Sequence, residues 1–299
     1  MLVDRFLDHL ALEKRFSAHT VAAYRADLAL FSAYLQEQGV ARAEDCDDQL
    51  VRYWVMARIE QGDSPRTVNR RLSALRGFYR FARRMGATDR DPTALVEPPK
   101  TSRRLPEFVE EARMDQLFQS ERRGEGLRQA AELLILELLY GTGIRLAELL
   151  GIRPEDVDAA RGTLRVLGKR NKERIVPLGD GALMRLQAYG AARSGALGPP
   201  AAGTPLLVGE NGEPLSRRSV QRIVQRYLGE VTSQRKRSPH VLRHTFATHM
   251  LDRGADLNAV KEILGHASLA ATQVYTHNTA EKLKKVHAQA HPRGGRRDR

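Results

Sequence analysis

Apolar residues recur at helical spacing through the first third of the chain and separate a core-facing side from a polar side. Serine or proline precedes two of these stretches, and glycine closes two of them, as at helix ends. The predicted helices run from Ser17 to Gly39, from Leu50 to Gly62 and from Ser64 to Arg84. The pattern therefore predicts an amino-terminal unit built of helices.

The stretch from Ala131 to Tyr140 is apolar nearly all round, which predicts a helix buried in a core. It is too short and too charged to span a bilayer. A glycine pair follows, where Thr142 is expected to cap a new helix, but Leu146 breaks the GxGxxG pattern of nucleotide-binding loops. Arg145 is therefore expected close to the core, with either Glu148 or a bound phosphate as its anionic partner.

Residues 163–167 and 173–176 alternate between apolar and polar positions around a turn that contains Gly and Asn, which predicts a β-hairpin. Its tip carries three cations, namely Lys169, Arg170 and Lys172. A lysine on such a loop can approach a leaving oxygen and donate a proton, which arginine does poorly because of its higher pKa.

Ser238-Pro239 is typical of a helix start, and it would place His240 and Arg243 together on the first turn. The N-terminus of a helix favours anions, so the pair suits a phosphate; a surface His and a solvated Arg are the alternative. Metal binding by His240 and His244 is disfavoured, since no Glu accompanies the first His. His266 and Tyr275 follow, and the whole set suits attack on a phosphodiester by a protein nucleophile.

Charge supports a nucleic-acid partner, because 49 Lys and Arg against 36 Asp and Glu give a net charge of +13. The length of 299 residues allows two domains. The single cysteine, Cys46, excludes an intramolecular disulfide framework and suits a reducing compartment. The amino terminus lacks the pattern of a signal peptide, and no transmembrane run is found. A cytoplasmic protein with no membrane partner is expected.

The helix that starts at Ser64-Pro65 carries seven arginines and no acid. At about 100° per residue, one narrow stripe collects Arg66, Arg70, Ser73, Gly77, Arg80 and Arg84. A solvated face is the usual explanation of such a charge run. The absence of acids, the small residues and the phosphodiester chemistry predicted downstream together favour contact with DNA phosphates instead, with Gly77 allowing another backbone to approach closely. A second basic helix, residues 216–228, projects Arg218, Arg222 and Arg226 as further candidate DNA contacts.

Histidines outside these motifs carry little chemical signal. Four of them are isolated in the sequence and are expected at the surface, namely His9, His19, His287 and His291. The last residues, 293–299, are expected to be disordered.

The order and spacing of Arg145, Lys169, His240-x-x-Arg243, His266 and Tyr275 resemble the catalytic set of the tyrosine recombinases. The segments Leu242-Arg243-His244-Thr245-Phe246-Ala247-Thr248-His249-Met250-Leu251 and Leu264-Gly265-His266-Ala267-Ser268-Leu269 are most similar to the Xer subgroup, and the closing Ala290-His291-Pro292-Arg293 to its XerC branch. The resemblance implies a mainly α, two-domain protein. Its expected parts are a SAM-like core-binding helical bundle (residues 1–91), a linker (92–106), an α-rich catalytic domain with a small antiparallel β-sheet (107–290) and a basic tail (291–299).

The resemblance also implies a role for each residue of the set. Tyr275 would attack a DNA phosphate and form a 3′-phosphotyrosyl bond, with Arg145 and Arg243 clamping the non-bridging oxygens. Lys169 would protonate the departing 5′ oxygen, His240 would assist deprotonation of the phenol, and His266 would hydrogen-bond the phosphate. No metal and no other cofactor is implied. This chain has Arg170 where the family has Gly, so the choice of Lys169 over Lys172 depends on the tip conformation.

The implied function is site-specific recombination of double-stranded DNA that resolves chromosome dimers at dif-like sites. The implied partners are a second Xer recombinase in a heterotetramer, or further copies in a homotetramer, and a septal DNA translocase. In the family the terminal helix packs into a neighbouring protomer. Three alternatives stay open: a phage or mobile-element integrase with the same chemistry, a type IB topoisomerase, and a DNA-binding relative without catalysis.

Overall fold

The computed structural model describes residues 2–101, 107–119, 126–168, 172–201, 203–265 and 277–295, the first three of the last range as backbone only. The chain forms two compact units, Met1–Arg104 and Leu105–Arg299. No helix in these described ranges is both long enough and apolar enough to cross a bilayer.

The amino-terminal unit is helical, as predicted. Its helices are α1 (Leu2–Asp8), which continues into a π-helical turn (His9–Glu13), α2 (Ala18–Glu37), α3 (Asp48–Glu60) and α4 (Pro65–Arg84). The hydroxyls of Ser17 and Ser64 cap α2 and α4 by accepting the N–H of the residue three positions on, each at 3.2 Å. Most of the predicted apolar positions of these helices form a common core around the buried Trp54, whereas Ile59 of α3 is exposed.

One feature of α4 differs from the expectation of an open stripe. Gly77 does allow a close approach, but the partner is a ring of α1: a Cβ at position 77 would lie 3.2 Å from Cζ of Phe6. The chain that follows α4 also packs on this unit, since Arg76 donates to the carbonyl of Val96 at 2.7 Å and Asn69 to that of Pro99 at 3.0 Å.

The carboxy-terminal unit combines helices with one small sheet. Its helices are α5 (Glu111–Gln119), α6 (Leu127–Thr142), α7 (Leu146–Gly151), α8 (Asp180–Leu197), α9 (Arg217–Val231), α10 (Pro239–Asp252), α11 (Leu257–Leu264) and α12 (His277–Ala290). Its strands are β1 (Val157–Asp158), β2 (Thr163–Leu167) and β3 (Glu173–Pro177). The sheet is antiparallel in the order β1-β2-β3, with Leu164 opposite Val176. The hairpin was predicted; the two-residue β1 is too short to give an alternating pattern.

Helix α6 crosses the core, as its apolar sequence predicts. Its two acids are buried and paired across the fold: Glu132 accepts from Tyr227 at 2.9 Å, and Glu137 accepts from Arg293 at 2.8 Å. The expected capping role of Thr142 is wrong, because Thr142 is the last residue of α6 and its hydroxyl donates to the carbonyl of Leu138. The next helix, α7, follows Arg145 instead.

The terminal segment packs against its own unit, through α12 and the residues after it. Leu283, His287 and His291 are buried, and the rings of the two histidines stack at 5.0 Å between centroids. Nε2 of His287 donates to the carbonyl of Gly141 at 2.7 Å. The surface position expected for these histidines is therefore wrong, as it is for the buried His9. The expected disorder from Arg293 onward is also wrong at Arg293.

Candidate active site

Arg145 and Arg243 converge on the C-terminal end of α11. Nη2 of Arg243 donates to the carbonyl of Leu264 at 2.7 Å, and Nη2 of Arg145 is 3.4 Å from the carbonyl of Gly265. Carbonyls at the end of a helix lack intrahelical partners and carry partial negative charge, so they attract cations. The structure thus brings together two arginines that lie almost one hundred residues apart in the sequence.

Backbone geometry at Gly143 makes this convergence possible. Gly143 ends α6 in the left-handed region, with φ of 63°, and its carbonyl accepts a hydrogen bond from Nη1 of Arg243 at 2.5 Å. A Cβ at position 143 would lie 2.6 Å from Cδ1 of Phe246 and 2.8 Å from Cδ2 of Leu264. Only glycine fits here without displacing the core side chains of α10 and α11, which carry the other half of the site.

Glu148, one of the two anionic partners that the sequence leaves open for Arg145, contacts it in the structure. Its carboxylate accepts the backbone N–H of Arg145 at 2.8 Å and Nη1 of the same residue at 2.8 Å. It also accepts Nη1 and Nη2 of Arg174, at 3.0 and 2.8 Å. Burial alone would raise the pKa of Glu148, but the hydrogen bonds from Arg174 and Arg145 outweigh it and lower the pKa to about 2. Glu148 is therefore ionised in the folded protein.

Arg174 of β3 is the one residue of this cluster that the sequence reasoning missed. It is buried opposite Val166 in the hairpin, and its Nε donates to the carbonyl of Ile263 at 2.9 Å. Alternation along β3 places positions 174 and 176 on the same face of the sheet. A charged residue at a core-facing position of a predicted strand is rare unless it is paired, and that signal could have found Arg174.

Positive charge exceeds negative charge in this cluster. It contains the three guanidinium groups of Arg145, Arg174 and Arg243 and the single carboxylate of Glu148. The pKa of Arg243 falls to about 10, because burial and then the nearby charge of Arg145 disfavour its protonated form. Arg243 still carries its charge at neutral pH, so the cluster is suited to bind an anion.

His240 lies on the first turn of α10, three residues before Arg243, as predicted. It is exposed, whereas its neighbour Val241 is buried. The helix begins after Ser238 with Pro239 at its first position, but the Ser238 side chain makes no capping hydrogen bond. The structure thus leaves His240 exposed to solvent, three residues before Arg243 on the same helix.

Lys169, Arg170, His266 and Tyr275 lie outside the described residues, but the chain next to two of them is placed. At the base of the hairpin, the N–H of Gly168 donates to the carbonyl of Lys172 at 2.7 Å, and the Lys172 side chain is exposed. Gly265, directly before His266, ends α11 in the left-handed region with φ of 64°. Gly168 and Gly265 both lie close to Arg174, because a Cβ at position 168 or 265 would be 3.5 or 3.0 Å from its guanidine nitrogens.

The predicted DNA-contact residues differ in how much they are already engaged. Arg66 and Arg80 of α4 are exposed and make no ion pair with any described residue. Arg70, in contrast, forms an ion pair with the buried Asp27 of α2. Arg84 is bonded to His9 at 3.0 Å. The stripe is thus not a uniformly free cationic face.

Helix α9 shows the same division. Arg218 and Arg222 are exposed, whereas Arg226 forms an ion pair with the buried Glu132.

Across the parts of the unit that the structure describes, no group of three or more His, Cys, Asp or Glu side chains is arranged to hold a metal ion.

Comparison with known proteins places this arrangement in a family. The model of the Phage integrase family matches residues 107–282, and that of the Phage integrase N-terminal SAM-like domain matches residues 3–86. The tyrosine recombinase XerC of Pelobacter propionicus is 43% identical over 295 residues, covering 97% of this chain and 95% of that protein. The tyrosine recombinase XerD of Pseudomonas putida is 39% identical over 293 residues, covering 98% of each.

A solved structure extends the likeness to three dimensions. The XerH site-specific recombinase, bound to palindromic difH substrate in a post-cleavage complex, superposes with a TM-score of 0.71 at 21% identity. The match covers 90% of this chain and 79% of that one, and at this identity it bears on the fold alone. The predicted fold class is confirmed. The chain belongs to the phage integrase family, the tyrosine recombinases, and is an enzyme that breaks and rejoins DNA strands.

Proposed function

We propose that this member of the phage integrase family resolves chromosome dimers at a dif-type site, so that chromosomes can segregate at cell division. The curated relatives named XerC and XerD support this assignment. The structural observation that carries the chemistry is the convergence of Arg145 and Arg243 beside a carboxylate already shared with Arg174. This arrangement leaves net positive charge where a phosphate would bind.

In the proposed reaction, the phenolic oxygen of Tyr275 forms a bond to the scissile phosphorus and the bond to the 5′ oxygen breaks. The products are a 3′-phosphotyrosyl linkage and a free 5′-hydroxyl. Arg145 and Arg243 stabilise the charge that develops on the non-bridging oxygens. Because the covalent link conserves the phosphodiester energy and the guanidinium groups supply the charge, the proposal requires neither ATP nor a metal ion.

Proton transfer is assigned to the remaining members of the set. Lys169, or Lys172 on the same hairpin, donates a proton to the leaving 5′ oxygen. His240 assists loss of the phenolic proton, since a phenol with a pKa of about 10 is a poor nucleophile at neutral pH. The exposed position of His240 beside Arg243 supports this role. His266 hydrogen-bonds the phosphate.

DNA binding is assigned first to those predicted DNA-contact residues that form no ion pair with a described residue. These are Arg66 and Arg80 of α4 and Arg218 and Arg222 of α9. Arg70 and Arg84 contribute only through the face that their contacts with Asp27 and His9 leave open. Phosphate contacts of this kind position the duplex without reading its sequence.

Assembly is proposed as a tetramer on paired sites in the cytoplasm, with a second Xer recombinase on the other half-sites or with further copies of this chain. A septal DNA translocase is proposed to act upstream. Transfer of the terminal segment to a neighbouring protomer would require release of the contact between Arg293 and Glu137 that holds it on its own unit.

The test is a suicide substrate, a dif-type duplex nicked so that the cleaved strand diffuses away. Wild type is expected to form a protein–DNA adduct that survives denaturation, and Tyr275→Phe to form none while binding DNA equally. A duplex of unrelated sequence is the control for site specificity. Adduct formation by Tyr275→Phe would refute the assigned nucleophile. Equal adduct formation on both duplexes would refute the dif-type assignment and favour a topoisomerase.

A further inference from the structure

Arg174 is a buried charged residue that lies one contact away from the proposed phosphate site. Its side chain is 5% exposed, so it cannot reach DNA directly. Three of its N–H groups are engaged: two with the carboxylate oxygens of Glu148 and one with the carbonyl of Ile263. Burying a guanidinium is costly unless it is paired, so any part that Arg174 has in the reaction must act through these partners.

Glu148 divides its hydrogen-bonding capacity between two arginines. Each of its oxygens accepts one bond from Arg145 and one from Arg174, which uses all four acceptor positions of a carboxylate. Arg174 holds the bidentate arrangement, which is the strongest pairing geometry. The side chain of Arg145 makes a single bond to Glu148 and remains 37% exposed. The carboxylate therefore orients Arg145 without neutralising it.

Without Arg174, the carboxylate of Glu148 would no longer be shared between two arginines. Glu148 would remain buried with only its two bonds from Arg145, and a buried carboxylate that is only half paired is unfavourable. Rotation of Arg145 into the vacated bidentate geometry would satisfy the carboxylate. It would also turn the guanidinium of Arg145 inward and cancel the charge that it offers to a phosphate.

Arg174 also supports the backbone next to two residues of the proposed catalytic set, Lys169 and His266. Its side chain lies near Gly265, directly before His266, and Gly168, directly before Lys169, since a Cβ added at either glycine would lie 3.0 or 3.5 Å from a guanidine nitrogen. Its bond to the carbonyl of Ile263 holds the end of α11, whose next two carbonyls contact Arg243 and Arg145. The buried guanidinium of Arg174 thus lies next to the hairpin base and the end of α11, and it acts on Arg145 through Glu148. The start of α10 is the described part of the proposed set that it does not reach.

We propose that Arg174 is a positioning residue for DNA cleavage, which occupies Glu148 so that Arg145 keeps its charge directed at the scissile phosphate. This role rests on the proposed function. The positioning role predicts a rescue that a purely structural role does not predict. When Arg174 is lost, removing the charge of Glu148 should restore activity.

The experiment measures the rate of adduct formation on the nicked suicide duplex at saturating DNA, with DNA affinity and thermal unfolding measured in parallel. Arg174→Met is expected to lower the rate about tenfold to a hundredfold, by analogy with the loss of a partner that orients a metal ligand. The double variant Arg174→Met/Glu148→Gln is expected to regain about tenfold over Arg174→Met, because a neutral amide cannot neutralise Arg145. DNA affinity should change much less than the rate.

Arg193 is the matched control, since it is also a buried arginine of this unit but bonds to the carbonyls of Pro205 and Leu206. Arg193→Met should lower stability and leave the rate per folded molecule unchanged. If Arg174→Met does not fold, Arg174→Lys replaces it in both single and double variants, since lysine keeps the charge but cannot bridge both oxygens.

The possible outcomes separate the two proposals. An adduct from wild type together with an unchanged rate in Arg174→Met overturns the role of Arg174 alone. The same holds if the double variant is as slow as, or slower than, the single variant, because Arg174 then matters only to the fold. Absence of an adduct from wild type would instead refute the proposed function itself.

Discussion

Acid should destabilise this protein through His287, which is buried against the end of α6. Burial lowers the pKa of His287 from its ordinary value of 6.5 to about 4, only partly opposed by its hydrogen bond to the carbonyl of Gly141. The unfolded chain therefore takes up a proton below pH 6.5 that the folded chain does not. The free energy of unfolding is unaffected above pH 6.5 and falls as the pH drops from there towards 4.

The size of the effect follows from the pKa values. At pH 5, which is about 1.5 units below the ordinary pKa, the loss at about 1.4 kcal/mol per unit amounts to about 2 kcal/mol. His291 stacks on His287, and burial lowers its pKa as well, so it adds to the loss in wild type. Glu148 acts at lower pH: with its pKa near 2, it contributes stability that is lost only below about pH 4.5.

The assay is denaturant unfolding at pH 7.5 and pH 5 for wild type, His287→Gln and His19→Gln. Glutamine stays neutral and can still donate to Gly141, so the loss between the two pH values should be about 2 kcal/mol smaller in His287→Gln than in wild type. His19 is exposed, and its variant should behave as wild type does. Equal pH dependence in wild type and His287→Gln would refute the reasoning, since it would mean that the docked segment does not exclude the proton.

Two further pairs of substitutions test the site and the DNA face. Gly143→Ala should cost about 2–5 kcal/mol, the sum of left-handed strain and overpacking, and should slow adduct formation. Gly86→Ala, also left-handed but with open space around it, should cost only about 1–2 kcal/mol. Equal costs in thermal unfolding would contradict the close packing at position 143. Arg80→Ala should weaken DNA binding and lower its salt-dependence slope by about one without loss of stability. Arg70→Ala should lower stability as well, because it removes an ion-pair partner from the buried Asp27. A binding titration at several salt concentrations, together with thermal unfolding, separates these outcomes. Unchanged stability in Arg70→Ala would show that Asp27 does not need Arg70 as a partner.

Local pattern was enough to predict most of the fold. The arginine-free face of α4, with Val68, Leu72 and Tyr79, forms the predicted core, and the alternation around the turn at Gly168 predicts the β2–β3 hairpin. These features depend on residues within a few positions of one another. The family motifs added Arg145 and Arg243, and the structure shows both at the end of α11.

Pairs that are distant in sequence could not be predicted in this way. The acid in reach of Arg70 is 43 positions away, and the partner of Glu137 is 156 positions away. Neither a helical stripe nor a net charge shows which cation is already paired. For the same reason His287 was expected at the surface, because its buried environment is supplied by α6 and α10.

The end of α11 explains how the fold tolerates a cluster of like charges in the absence of DNA. Three successive carbonyls, of Ile263, Leu264 and Gly265, each accept from a different arginine. A helix C-terminus carries about half a negative charge, and Glu148 adds a full one. Against three guanidinium groups this offsets only about half of the positive charge. The helix end thus holds the arginines in place by hydrogen bonds that do not cancel them, and a phosphate can complete the neutralisation when DNA binds.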